Sequence, residues 1–222
     1  MVFGYTDIIQ FFLATVAIVI SIVLHELAHG YMALWNGDMT AKAYGRLSIN
    51  PLVHFDLYGL LMLVLVRFGY ARPVPVNPYN FKRRRLGCIT VSCAGIVVNL
   101  LLAFICTPLY FLCQANGGRI LFYLGSFLFW MIIININLAV FNLLPIYPLD
   151  GYKIVEGFTR ANNPFTRFMR VYGQYILIAL IAVSVLVDSF GCPYWLDVLG
   201  LYIDTARGAI ITVLEKFWNL FF

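Results

Sequence analysis

Long apolar runs, separated by short polar stretches, dominate the order of residues. The first extends from about Thr6 to Trp35 and stops at Asn36-Gly37-Asp38, residues that end helices. Further runs cover about Leu86 to Cys113, Leu121 to Leu144 and Val171 to Phe190. Each reaches the roughly 20 residues that a helix needs to cross a hydrocarbon core of about 30 Å. A last apolar segment, Leu199 to Phe222, contains Asp204, Arg207, Glu215 and Lys216. It reads as a fifth span or as an amphipathic surface helix, with the span favoured. Between the first two spans the pattern changes. Met39 to Asn50 is polar and short-patterned, which suits a small β-element or an interfacial loop. Leu57 to Phe68 is apolar but too short to cross, so it reads as re-entrant or interfacial. Prolines 73, 75 and 78 forbid helix and predict an extended path over Ala71 to Pro78. The pattern therefore predicts an all-α polytopic membrane protein. About four to six transmembrane helices are expected, with a small β or re-entrant element after the first. A single membrane-embedded domain is expected over residues 1–222, with a core at about 6–160 and C-terminal helices at 171–222.

Composition narrows this further. The chain of 222 residues is 62% hydrophobic and 11% charged, with a mean hydropathy of +0.87. That excludes a large soluble domain. The N-terminal run has no basic leader and is too long for a signal peptide, so it reads as a retained span. Eight basic residues (Lys42, Arg46, Arg67, Arg72 and Lys82 to Arg85) lie between the first two spans. Four more (Lys153, Arg160, Arg167 and Arg170) lie between the third and fourth. The opposite loops carry only Arg119. This bias puts the 38–85 and 149–170 loops in the cytoplasm and the N-terminus outside. The net charge of +5 thus needs no nucleic-acid partner. Lys82 to Arg85 reads as a positive-inside anchor, with binding of anionic lipid headgroups or of an adaptor as the alternative. Five cysteines without a C-x-x-C pair read as free thiols.

Chemistry concentrates at His25-Glu26-Leu27-Ala28-His29, an H-E-x-x-H inside the first span. Positions i and i+4 share one helix face, so both imidazoles can meet one metal ion, and the adjacent glutamate can reach a metal-activated water. Only three histidines exist in the chain. A charged glutamate at membrane depth is costly unless it has a polar cavity or a task. At roughly 1.5 Å per residue the pair lies some 10–16 Å beneath the cytoplasmic surface. A zinc hydrolase site needs a third protein ligand. Asp150, in Leu149-Asp150-Gly151 at the cytoplasmic end of the third span, is the strongest candidate. The residues alone also allow a plain turn aspartate there.

These motifs resemble the site-2 protease family of intramembrane zinc metalloproteases. His25 to His29 looks like that family's H-E-x-x-H, and Asn142-Leu143-Leu144-Pro145-Ile146-Tyr147-Pro148-Leu149-Asp150-Gly151 like its N-x-x-P-x-x-x-L-D-G. Gly45 to Pro51, His54-Phe55-Asp56 and Ala71 to Pro78 are similar to its compact prokaryotic branch. The resemblance implies His25, His29 and Asp150 as ligands of one zinc ion and Glu26 as catalytic acid/base. It implies a prokaryotic cell membrane, a transmembrane protein substrate, and no PDZ or CBS module. Asn142 is expected to assist the substrate or the oxyanion, and Asn99 to line the site. Asn99 follows Ala94-Gly95-Ile96-Val97-Val98, with isoleucine where the family has proline. His54 reads as a site-supporting or gating group, or as a loop histidine. The extended segments at 39–56 and 70–78 are expected to pair with an unwound substrate. The rival readings are a membrane zinc transporter and a non-catalytic membrane scaffold. The oligomeric state is left open.

Overall fold

The computed structural model describes residues 8–55, 72–159 and 163–221. Among these residues eight α-helices follow in order: α1 Ile8–Trp35, α2 Thr40–Ala43, α3 Pro51–His54, α4 Arg84–Asn116, α5 Arg119–Asn142, α6 Asp150–Phe158, α7 Pro164–Phe190 and α8 Val198–Trp218. Four of them (α1, α4, α5 and α7) are long and apolar enough to cross a membrane. With the family membership established below, the chain is an integral membrane protein.

Helix starts follow local chemistry. Asn50-Pro51, Asn77-Pro78 and Asn163-Pro164 each open a helix or a 3-10 turn, the asparagine accepting an amide N–H two residues on. Asparagine satisfies an orphan donor there, and proline fits the first helical position because its missing N–H is not needed. Pro78 thus starts the 3-10 turn Pro78–Asn80, whereas residues 72–77 form neither helix nor strand and Asn77 itself is extended.

The core is a three-helix interface of α1, α4 and α5. Its contact stripes are rich in small residues: Ala14, Ala17, Ser21 and Ala33 on α1, and Gly87, Ala94, Gly95 and Ala103 on α4. Lipid is as apolar as leucine, so helices associate in a bilayer through close packing and hydrogen bonds, which small residues permit. α1 and α4 run antiparallel, with His29 against Val91 and His25 against Gly95. α1 and α5 run parallel, joined at Gln10 to Ser126 and Trp130 and at Ser21 to Asn135.

α8 lies along α5 and α4. Tyr202 Oη donates to the Val140 carbonyl, Arg207 reaches Asn137, and Trp218 Nε1 donates to the Phe104 carbonyl at 3.2 Å. The last bond answers a defect in α4. Pro108 lies inside that helix and cannot donate to the carbonyl four residues back. That carbonyl belongs to Phe104, and an indole from α8 supplies the missing donor.

Two expectations change, and a third lies outside the described residues. Among the described residues no strand occurs. Where a β-element was one option for 39–50, Asp38 accepts the Thr40 amide and nucleates the single turn of α2. The re-entrant run Leu57 to Phe68 lies outside the described residues. The last apolar segment is a helix, but its charges leave it outside the four apolar spans. Its contacts also show it running in the same direction as α4. A fifth span after four alternating ones would run the opposite way.

Candidate metal centre

His25 and His29 lie one turn apart on α1, both buried. Their Nε2 atoms stand 3.0 Å apart and their rings meet at right angles. Asp150, at the first position of α6, completes the group. Its Oδ2 lies 3.3 Å from His25 Nε2 and 3.0 Å from His29 Nε2, and its other oxygen accepts from Lys153 Nζ at 2.9 Å.

Two glycines make this convergence possible. A side chain on Gly95 would strike the His25 ring at 2.5 Å, so α4 approaches the imidazole only with no Cβ at that position. A Cβ on Gly151 would lie 2.2 Å from the Leu143 carbonyl oxygen. The chain thus folds back tightly from the end of α5 to deliver Asp150. That is a physical reason for a glycine after the aspartate.

The donor set fits zinc. Nitrogen and oxygen ligands at about 2.0–2.1 Å around a tetrahedral ion stand about 3.3 Å from one another, close to the 3.0–3.3 Å seen here. His29 Nδ1 lies 2.7 Å from the Val91 carbonyl oxygen. A carbonyl can only accept, so that nitrogen carries the proton and Nε2 presents its lone pair to the centre. Lone pairs of two imidazoles and one carboxylate packed this closely repel unless a cation or shared protons lie among them. Among the described residues this is the one cluster of His, Cys, Asp or Glu with ligand spacing.

Glu26 is half-buried beside the ligands. Its Oε2 accepts the backbone N–H of Val74 at 2.8 Å. That amide comes from the segment 72–77, which is pinned further along. Asp38, buried at the end of α1, accepts the Asn77 amide at 2.7 Å and the Asn80 Nδ2 at 2.7 Å. Burial raises the Asp38 carboxyl, but these bonds and those from Thr40 outweigh it and hold it below its ordinary value.

The remaining sequence candidates fall differently. His54 is buried, but its ring Nε2 bonds the Ser48 carbonyl at 2.7 Å, and its backbone carbonyl accepts the Arg72 amide. It therefore holds the loop and stands outside the ligand cluster. Asn142, half-buried in the last turn of α5, donates Nδ2 to Leu138 O in its own helix. Asn99 is fully buried on α4, one turn beyond Gly95. Sequence reasoning missed Val74 and Val91 because each contributes a backbone atom and no side-chain signature. Lys153, three residues after Asp150, was readable as an i, i+3 partner.

Comparison with known proteins follows the same residues. A family model described as "Peptidase family M50" matches residues 115–184, the stretch with Asn142 and Asp150. A Bacillus subtilis protein named "Putative zinc metalloprotease YwhC" is 47% identical over 64% of this chain, a match spanning 66% of that relative's length. A Mycobacterium tuberculosis protein named "Putative zinc metalloprotease Rip2" is 28% identical over 91% of the chain and 79% of the relative. No solved structure matches significantly. A Methanocaldococcus jannaschii protein named "Putative zinc metalloprotease MJ0611" is 31% identical over 74% of the chain and 78% of its own length. With motifs, ligand geometry and relatives of that coverage in agreement, the chain belongs to peptidase family M50, the site-2 protease family.

Proposed function

We propose that this chain is a zinc endopeptidase that hydrolyses peptide bonds within or near transmembrane segments of other membrane proteins. The observation that carries the reading is the buried meeting of His25, His29 and Asp150 next to Glu26. His25 Nε2, His29 Nε2 and Asp150 Oδ2 would hold the ion. When bound, zinc supplies a Lewis acid that brings water within reach of ionisation near neutral pH.

The chain's own residues do the rest. Glu26 takes the proton of the attacking water and passes it to the leaving amine. Oε2 is held by the Val74 amide, so Oε1 is the oxygen that accepts. Lys153 holds the second oxygen of Asp150 and keeps Oδ2 turned to the histidines. Asn142 would turn its Nδ2 from the Leu138 carbonyl toward the developing oxyanion. Asn99 and His54 have no contact with the reacting atoms in this reading. A substrate helix hides its carbonyls in its own hydrogen bonds, so it must unwind before attack. The segment 72–77 would offer an edge to that unwound strand.

In this reading the charge bias of the loops puts the site nearer the cytoplasmic face of a prokaryotic cell membrane. Residues 1–222 act as one catalytic domain. A transporter would need a further ligand cluster to pass the ion on, and the described residues hold one.

The test is Glu26→Gln. Wild type and variant are compared by proteomics of membrane-protein fragments, with zinc measured in both. The reading expects fragments to fall by about 10²–10⁴-fold with zinc retained. Unchanged fragments would leave it without a catalytic base.

A further inference from the structure

We infer that Asn99 and Asn135 hold one buried water that keeps the proton of His25 on Nδ1. The two metal-bearing histidines are not supported alike. His29 donates Nδ1–H to the Val91 carbonyl, and this leaves Nε2 to the ion. For His25 Nε2 to serve in the same way, His25 Nδ1 must also carry a proton. That nitrogen is buried and has no hydrogen-bond partner in the protein. A buried donor without an acceptor is costly.

The acceptors stand one turn away. Asn99 is fully buried, and neither its Nδ2 nor its Oδ1 has a protein partner. Asn135 is also fully buried. It donates Nδ2 to Ser21 Oγ and to the Met131 carbonyl, each at 2.8 Å, while its Oδ1 is unpartnered. Ser21 lies one turn before His25 on α1, and Gly95, which faces His25, lies one turn before Asn99 on α4. Helical side chains lean toward their own N-terminus. In this antiparallel pair His25 leans toward the level of Ser21, and Asn99 leans toward the level of Gly95. Both therefore lean toward the layer between those two levels, and Asn135 reaches it from α5 at Ser21.

At one bond per unpartnered atom, one water matches these groups. His25 Nδ1–H and one N–H of the Asn99 amide are two donors. Asn99 Oδ1 and Asn135 Oδ1 are two acceptors. One water accepts twice and donates twice, and buried waters of this kind make about three such bonds. Asn99 is therefore a positioning residue, acting on the metal through His25.

This inference rests on the proposed metal site, so the experiment reads that site first. Zinc dissociation constants are measured for wild type, Asn99→Leu and Asn99→Ala. Wild type must bind zinc tightly; failure there overturns the metal site itself and this inference with it. Leucine fills the gap and excludes water, whereas alanine leaves room for a second water. The water bridge predicts a loss of about tenfold or more for leucine and less than about threefold for alanine. A packing role predicts the reverse order, because the cavity left by alanine costs more than a similar-sized apolar side chain. That reverse order, or equal affinities, overturns the inference. If Asn99→Leu does not fold, the zinc-loaded wild type decides by nitrogen-15 NMR. The His25 Nδ1 proton should show a cross-peak to water, and the His29 proton, on its carbonyl, should show none. A His25 proton without that cross-peak overturns the inference equally.

Discussion

Helix α5 of the α1–α4–α5 bundle and helix α7 outside it have similar mean hydropathy, 2.0 against 1.9, yet they are packed very differently. Within α5, 56% of the most apolar stretch is buried, against 17% in α7. The bundle turns its polar residues inward, where His25, His29, Asn99 and Asn135 lie buried between helices. In α8, Arg207 pairs with Asp204 on its own helix and reaches Asn137 of α5, and the Tyr194 hydroxyl donates to Asp204. Asp204 accepting that hydroxyl's proton bond, with some burial, pushes Tyr194 up to about 12. Hydropathy alone does not separate α5 from α7. What separates them is whether small residues let the helices close on one another. Where they do, polar groups become ligands and their supports. Elsewhere polar groups tie a cover to the bundle.

The sharpest way to break this contrast is at Asp150. Asp150→Ala should remove most of the bound zinc, read by metal analysis of purified protein. Full zinc content in that variant would take Asp150 out of the ligand set. A smaller effect is expected at Val74, whose amide is the part that matters. Val74→Pro removes the donor to Glu26 and should lower kcat by about ten- to a hundredfold, with KM and zinc nearly unchanged. Val74→Ala keeps the amide and should stay near wild type. Equal losses in both would mean that the side chain, and not the N–H, supports the site. The smallest effect concerns the α7–α8 pair. Cys192 is the exposed cysteine of the five. The direction of α8 puts the turn before it on the same side as Asp150. A membrane-impermeant maleimide should therefore label Cys192 from the side that exposes Lys153, without change in activity. Labelling from the opposite side would restore the alternating order expected from hydropathy.

Much of the bundle could be read in advance. The ends of α1, α4 and α5 fall within a few residues of their expected limits because Asn36-Gly37 and the prolines after Asn142 are strong local signals. His25 and His29 could be paired from their i, i+4 spacing, whereas Asp150 was singled out chiefly by the resemblance of Leu149-Asp150-Gly151 to the family motif. Other parts left no such trace. Asp38 reads as a helix stop, yet its larger task is to bind Asn77 and Asn80 from a distant segment. Val74 and Val91 act through the backbone, which every residue has. The direction of α8 is invisible to hydropathy, which reports depth but not sense. Its anchor, Trp218 on Phe104, repairs a gap made by Pro108, and such a pairing exists only after folding.

The fit of Gly95 beneath the His25 ring also has a mechanical meaning. Sliding α1 along α4 by one turn, about 5.4 Å, would set Val91 or Asn99 under that imidazole in place of glycine. Neither leaves room for the ring. The pair is therefore keyed to a single register, like a tooth in a notch. Bilayers of different thickness can tilt the bundle as a whole, but they cannot shear these two helices past each other without unseating the notch. The ligand spacing is thereby insulated from the lipid around it.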